Sequence, residues 1–124
     1  MSDLAFLPAH ELARRLRRGE LSALELLDHY LGRIGRLGGT INAVVVLDAD
    51  RARQRARAAD AALARGEIWG PLHGLPITVK ESFNVAGLPT TYGFATHARN
   101  IATSDALLVQ RLQAAGAVLF GKTN

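Results

Sequence analysis

Residues 116–124 read GAVLFGKTN, and how this stretch is parsed decides the fold. As a motif, Gly116 to Thr123 satisfies G-x-x-x-x-G-K-[ST], the loop that wraps nucleotide phosphates. Such a loop needs a strand before its first glycine, an irregular turn between the glycines, and a helix opening at the Lys-Thr pair. Here the order is inverted. TSDALLVQRLQAAG (103–116) reads as a helix with Thr103 or Ser104 as N-cap and Asp105 near its positive end. Leu108, Leu112 and Ala115 lie along one face, and Gly116 stops it. Ala117 to Phe120 then read as a buried strand, and amides committed to a sheet ladder cannot cradle a phosphate. A nucleotide-binding or interaction domain built on the terminal GKT is kept as an alternative of a different class.

Upstream, LPITVK (75–80) is an apolar segment that closes on Lys80. Strand, crossover helix and strand predict a right-handed parallel unit. Lys80 then stands at the carboxyl end of its strand, where open α/β sheets place their chemistry. The Gly- and Pro-containing stretch between them runs to about Thr103, a length of loop that signals function or disorder. Toward the N-terminus, LPAHELARRLRRGE (7–20) predicts a short helix with Ala9, Leu12, Ala13 and Leu16 on one stripe, Pro8 in its first turn and Gly19 as its stop. Ser22 and Glu25 form an S-x-x-E capping box flanked by Leu21 and Leu26, and Leu27, Tyr30, Leu31 and Ile34 continue that helix's buried face. INAVVVL (41–47) is continuous and β-branched, which predicts a strand covered on both faces. A further helix is expected from about Asp50 to Ala64, with Gly66 beyond its end.

Composition narrows the function classes. A chain of 124 residues, 48% hydrophobic, suits one domain at most. The absence of cysteine excludes a disulfide framework, zinc fingers and a thiol nucleophile, and makes the cytoplasm the default compartment. No apolar run reaches bilayer length and the N-terminus has no uninterrupted apolar core, so a soluble chain that does not contact membrane is expected. RARQRAR (51–57) raises RNA binding, but Ala52, Ala56, Ala59 and Leu63 supply an apolar stripe that turns the arginines to solvent, and no aromatics interleave for base stacking. Direct nucleic-acid binding is set aside. His10, His29, His73 and His97 are scattered without ligand spacing, so neither a metal nor a cofactor is implied. Ser2, Ser22, Ser82 and Ser104 include none in a G-x-S-x-G turn.

The lysines are the informative residues. Thirteen of the fifteen basic residues are arginine, so a generic surface cation in this chain is written as Arg, and the two exceptions, Lys80 and Lys122, both follow apolar runs. A compact amine can lose its proton where a guanidinium cannot. For Lys80 two readings stand side by side: a gatekeeper at a strand end, or an amine whose partial desolvation after LPITV favours its neutral form and fits it for general-base work. A Lys80–Ser82 dyad belongs to the second reading.

GPLHGLPITVKESFNVAGLPTTYG (70–93), followed by SDALLVQRLQAAGAVLFGKTN (104–124), closely resembles the N-terminal part of the amidase signature family. The resemblance covers nearly the whole chain. It implies an α/β fold, a mixed sheet flanked by helices that is incomplete in this chain, with 1–66 as a helical front carrying one strand and 67–124 as the start of the catalytic core. It also implies carboxamide C–N cleavage by a Ser-cisSer-Lys triad, with Lys80, in the P-x-x-V-K block, as the catalytic base. Glu81 stands where the family more often has Asp. Both serines and the oxyanion hole of the family lie beyond Asn124, so the chain reads as a fragment of an amidase, inactive alone. Tyr92 and Phe94 are candidate substrate contacts, and Lys122 and Asn124 are assigned a structural role. The implied partners are a small-molecule amide and, by assembly, either a homodimer or the subunits of an amidotransferase that supplies ammonia to a mischarged aminoacyl-tRNA.

Overall fold

The computed structural model describes residues 3–124. A 3-10 turn at Leu4–Phe6 leads into α1 (Ala9–Arg17), α2 (Ala23–Ile41), β1 (Val44–Leu47), α3 (Ala49–Ala64) and β2 (Pro76–Lys80). After a second 3-10 turn at Ala95–His97 come α4 (Leu107–Ala114) and β3 (Val118–Thr123). The strands make one mixed sheet in the order β1-β3-β2, with β3 parallel to β2 and antiparallel to β1.

Alternation along β3 sends its side chains into two cores. Val118 and Phe120 join Leu12 and Leu16 of α1, Leu26 and Leu27 of α2, and Ala52, Ala56 and Ala59 of α3. Leu119 joins Val79, Val85 and Val109 on the other face. Helices therefore flank both faces of the sheet, and the alanine stripe of α3 lets that helix lie close to it. The Ser22–Glu25 capping box forms in both directions.

Gly116 ends the α4 segment at φ +100°, and a Cβ there would lie 2.7 Å from His73 Cα. The following residues enter β3 as a strand, so the GKT segment is part of a sheet ladder, with Val79 opposite Lys122 and Lys80 opposite Thr123. The register shifts on both sides of β3: Phe120 is the extra residue against β2, next to Gly121, and Val45 of β1 is the extra residue against the Lys122–Thr123 step. Gly121 is required there, since a Cβ would stand 2.6 Å from the Val46 carbonyl oxygen.

Four expectations are corrected. The segment INAVVVL does not begin as a strand, because α2 continues through Gly38 and Gly39 to Ile41 and is closed by Asn42 in the left-handed region (φ 50°), whose N–H donates to the Gly38 carbonyl at 2.7 Å. Nor is β1 covered on both faces: it is an edge strand in these residues, with Val45 and Leu47 exposed. The α4 helix starts two or three residues late and uncapped by Thr103 or Ser104, because Asp105 accepts the Ala86 N–H at 2.7 Å and the Ala106 N–H goes to the Asn84 carbonyl. Those tertiary bonds rotate the helix so that Val109 rather than Leu108 is buried. Finally, Arg55 is not on a solvated face. It donates to the carbonyls of Gln113 and Ala117 at 2.6 and 2.8 Å and lies 4.9 Å from the Trp69 ring centroid. A cation there satisfies carbonyls at the C-terminus of α4.

Candidate active site at the ends of β2 and β3

Pro76 opens β2, where a missing N–H is tolerated, and Val79 is buried against the α4 side of the sheet. Lys80 is the last residue of β2 and is exposed. Among the described residues, Lys80 therefore lacks the burial that one of its two sequence readings invoked. The ladder continues one step further, since the Glu81 N–H donates to the Thr123 carbonyl at 2.8 Å, and the Phe83 N–H then turns the chain back onto the Lys80 carbonyl.

Because successive strand residues face opposite ways, Glu81 is turned inward, 7% exposed. Its two carboxylate oxygens accept the main-chain N–H groups of Thr91 and Tyr92, the latter at 3.0 Å. Burial opposes its charge, but those hydrogen bonds and the nearby Lys122 ammonium outweigh it and hold the Glu81 carboxyl below the usual glutamate range. Lys122 is fully buried in β3 and donates to the Pro89 carbonyl and, at 2.9 Å, to the Thr90 hydroxyl. Burial lowers its pKa, with Glu81 acting in the opposite sense.

These two charges anchor a loop that sequence left irregular. Its arms are tied by Gly87 N–H to Ala102 O, Ala102 N–H to Leu88 O and Thr90 N–H to Asn100 O, and the Asn100 side chain returns a bond to the Thr90 carbonyl at 2.8 Å. At its turn Tyr92 adopts φ 53°, a strained choice for a residue with a bulky side chain.

Lys80, Glu81, Ser82, Thr91, Tyr92 and Gly93, with Val45 from β1 and Asn124 after β3, line one cleft of about 320 Å³. That is the small end of the range for small-molecule sites. The cleft brings Tyr92 to the Lys80 side of the molecule. Phe94 does not line it; this ring is exposed and stands 5.8 Å from the His97 ring. Ser82 shares the cleft with Lys80. A second, more apolar groove runs between α2 and β1, bordered by Tyr30, Ile34, Leu37, Ile41 and Phe120, and holds no pair of groups suited to proton transfer.

The remaining titratable candidates have structural surroundings. His73 is buried, accepts the Trp69 N–H at Nδ1 and contacts the Ala59 carbonyl at 3.0 Å through Nε2, so it knits the α3–β2 connection to α3. His29 lies 2.9 Å from the Asp3 carboxylate. Sequence reasoning missed the Glu81–Lys122 arrangement. Its one visible signal was a lysine spent in a chain that otherwise uses arginine, inside a strand.

The chain belongs to the amidase family: the Amidase family model matches residues 25–124. Over 123 residues it is 50% identical to the protein AmiB2 of Mycobacterium tuberculosis, covering 99% of this chain and 26% of that protein. It is also 43% identical over 124 residues to a glutamyl-tRNA(Gln) amidotransferase subunit of Salinispora arenicola, covering all of this chain and 25% of that relative. Among solved structures, the peptide amidase from Stenotrophomonas maltophilia superposes with a TM-score of 0.89 at 37% identity, over 97% of this chain and 25% of that one. The chain spans about a quarter of the length of these relatives. None of the helices described is long and apolar enough to cross a membrane.

Proposed function

We propose that these residues form the N-terminal part of an amide hydrolase in which Lys80 is the general base. Residues 1–66 serve as the helical front, and 67–124 begin the catalytic core. The observation that carries this reading is the placement of Lys80, an exposed amine at the carboxyl end of a strand, inside a cleft, in a chain of the amidase family.

In this mechanism the nucleophilic and bridging serines and the oxyanion donors come from polypeptide outside the 124 residues. The Lys80 amine takes a proton from the bridging serine, which takes one from the nucleophile as that oxygen attacks the amide carbon. The C–N bond breaks, the nitrogen leaves as ammonia or amine with a returned proton, and water releases the acid from the acyl-enzyme. Walls supplied by the same outside polypeptide cover Lys80. The site of action is the cytoplasm, with a small carboxamide as substrate.

The test is ammonia release from carboxamides by the complete polypeptide that carries this segment, with and without Lys80→Ala. Loss of turnover with an unchanged fold supports the assignment, and turnover that survives the substitution removes it. The 124 residues alone are expected to turn over nothing. Lys80-dependent turnover by the short chain would instead support the Lys80–Ser82 dyad.

A second reading is favoured by the likeness to glutamyl-tRNA(Gln) amidotransferases. In it the released ammonia is passed to a mischarged aminoacyl-tRNA through a second protein of the assembly. Co-purification with such a partner, and glutamine hydrolysis stimulated by it, would select this reading over a stand-alone amidase.

A further inference from the structure

Two buried charges meet at the Lys80 cleft: Glu81 lines it, and Lys122 lies beneath the loop beside it. Glu81 and Lys122 form no ion pair with each other among the described residues; each instead bonds the same short run of backbone. Lys122 holds Pro89 and Thr90, and Glu81 holds Thr91 and Tyr92. Four consecutive residues are thus fixed by two opposite charges, both buried, one just past the end of β2 and the other within β3. The next residue, Gly93, also lines the cleft, and so does Tyr92, whose backbone takes φ 53°. Strain of this kind persists only where surrounding contacts impose it.

We infer that Glu81 and Lys122 are positioning residues that fix the Pro89–Gly93 turn as the substrate-facing wall beside Lys80, with Tyr92 as the wall's specificity-determining side chain. The inference rests on the proposed reading of Lys80 as the base. Two consequences follow from the bonding. The Thr91 and Tyr92 N–H groups are committed to Glu81 and do not serve a developing oxyanion. The wall responds to the carboxylate's form, because an isosteric glutamine can accept from only one of the two N–H groups and turns its own N–H toward the other.

The experiment uses the complete amidase, with hydrogen–deuterium exchange over residues 87–102 and steady-state kinetics on carboxamides of differing acyl size. Glu81→Gln is expected to speed exchange in the turn by about tenfold and raise KM by about tenfold with kcat within about threefold, since a lost wall contact acts on binding more than on proton transfer. Glu81→Asp, which keeps the charge and both acceptors, restores most of each. Tyr92→Gly, which relieves the backbone and still folds should Glu81→Gln fail to, is expected to leave exchange near Thr90 unchanged and to flatten the preference among acyl groups. Unchanged exchange in Glu81→Gln, faster exchange with unaltered KM, or a Tyr92→Gly enzyme with the original preference would each overturn the inference. Turnover insensitive to Lys80→Ala would strike the underlying reading instead, and the exchange result would still judge the clamp.

Discussion

Lys80 and Lys122 look alike in sequence and differ in almost everything the fold decides. Each ends an apolar run, LPITV before one and AVLFG before the other. Lys80 closes β2 at the sheet's rim, where its amine is exposed above a cleft, whereas Lys122 lies within the middle strand and is fully buried under the 87–102 loop. The contrast teaches that an apolar run followed by lysine specifies only a strand. Whether the amine is offered to a ligand or locked into the structure depends on strand order and on which loop returns over it.

The largest expected effect separates the two by activity. Lys80→Ala in the complete enzyme should lower kcat/KM by about a thousandfold, the scale of a lost general base. Its denaturation midpoint should stay within about 0.5 kcal/mol of the parent, as for an exposed substitution. Lys122→Met should do the reverse in stability: removing one partner of a buried charge arrangement costs about 3 kcal/mol in a urea melt. Equal losses of stability in the two variants would break the comparison.

The pH dependence sharpens it. Glu81 is held below its ordinary value in the fold, so its contribution is complete above about pH 4.3 and disappears as the pH falls through the lowered value. Lys122 is lowered by burial, so the fold gains stability as the pH rises from that lowered value toward about 10.4, where the unfolded chain still holds the proton. Urea midpoints measured across pH should lose the acid-side slope in Glu81→Gln and the alkaline-side slope in Lys122→Met. Identical profiles in parent and variants would show that neither group is coupled to folding.

Smaller effects test the neighbours. His73→Ala leaves the Trp69 N–H without its partner and removes the contact to the Ala59 carbonyl, and should cost about 2 kcal/mol in a urea melt with turnover of the complete enzyme unchanged. Thr90→Val keeps volume but removes the hydroxyl that accepts from Lys122, an expected loss of about 1 kcal/mol by calorimetry. An increase in stability there would mean the Pro89 carbonyl alone satisfies the buried amine.

What could be read in advance followed the physics that is local. The capping box at Ser22, the alanine stripe of α3, the stop at Gly116 and the parallel pairing of β2 with β3 are written in short spacings, and the structure shows each. So is the position of Lys80 at a strand's end. The errors arose where distant partners decide. Asp105 was claimed by Ala86 rather than by its own helix, Arg55 by the end of α4, and the half-strand INAVVVL by a helix that ran through two glycines. The Glu81–Lys122 clamp was illegible for the same reason: its bonds go to a loop ten residues from one member and thirty-two or thirty-three from the other.

Trp69 is the chain's one tryptophan, and its position makes it an optical gauge. Its ring lies under the Arg55 guanidinium and edge-on to His73 at 5.1 Å, where α3, the incoming β2 and the start of β3 meet. Tryptophan emission from this chain, excited selectively over Tyr30 and Tyr92, therefore has a single origin, where α3 meets the sheet. A shift in its colour would time the docking of one on the other without a label, and in the complete enzyme any additional tryptophans could be replaced to keep that view.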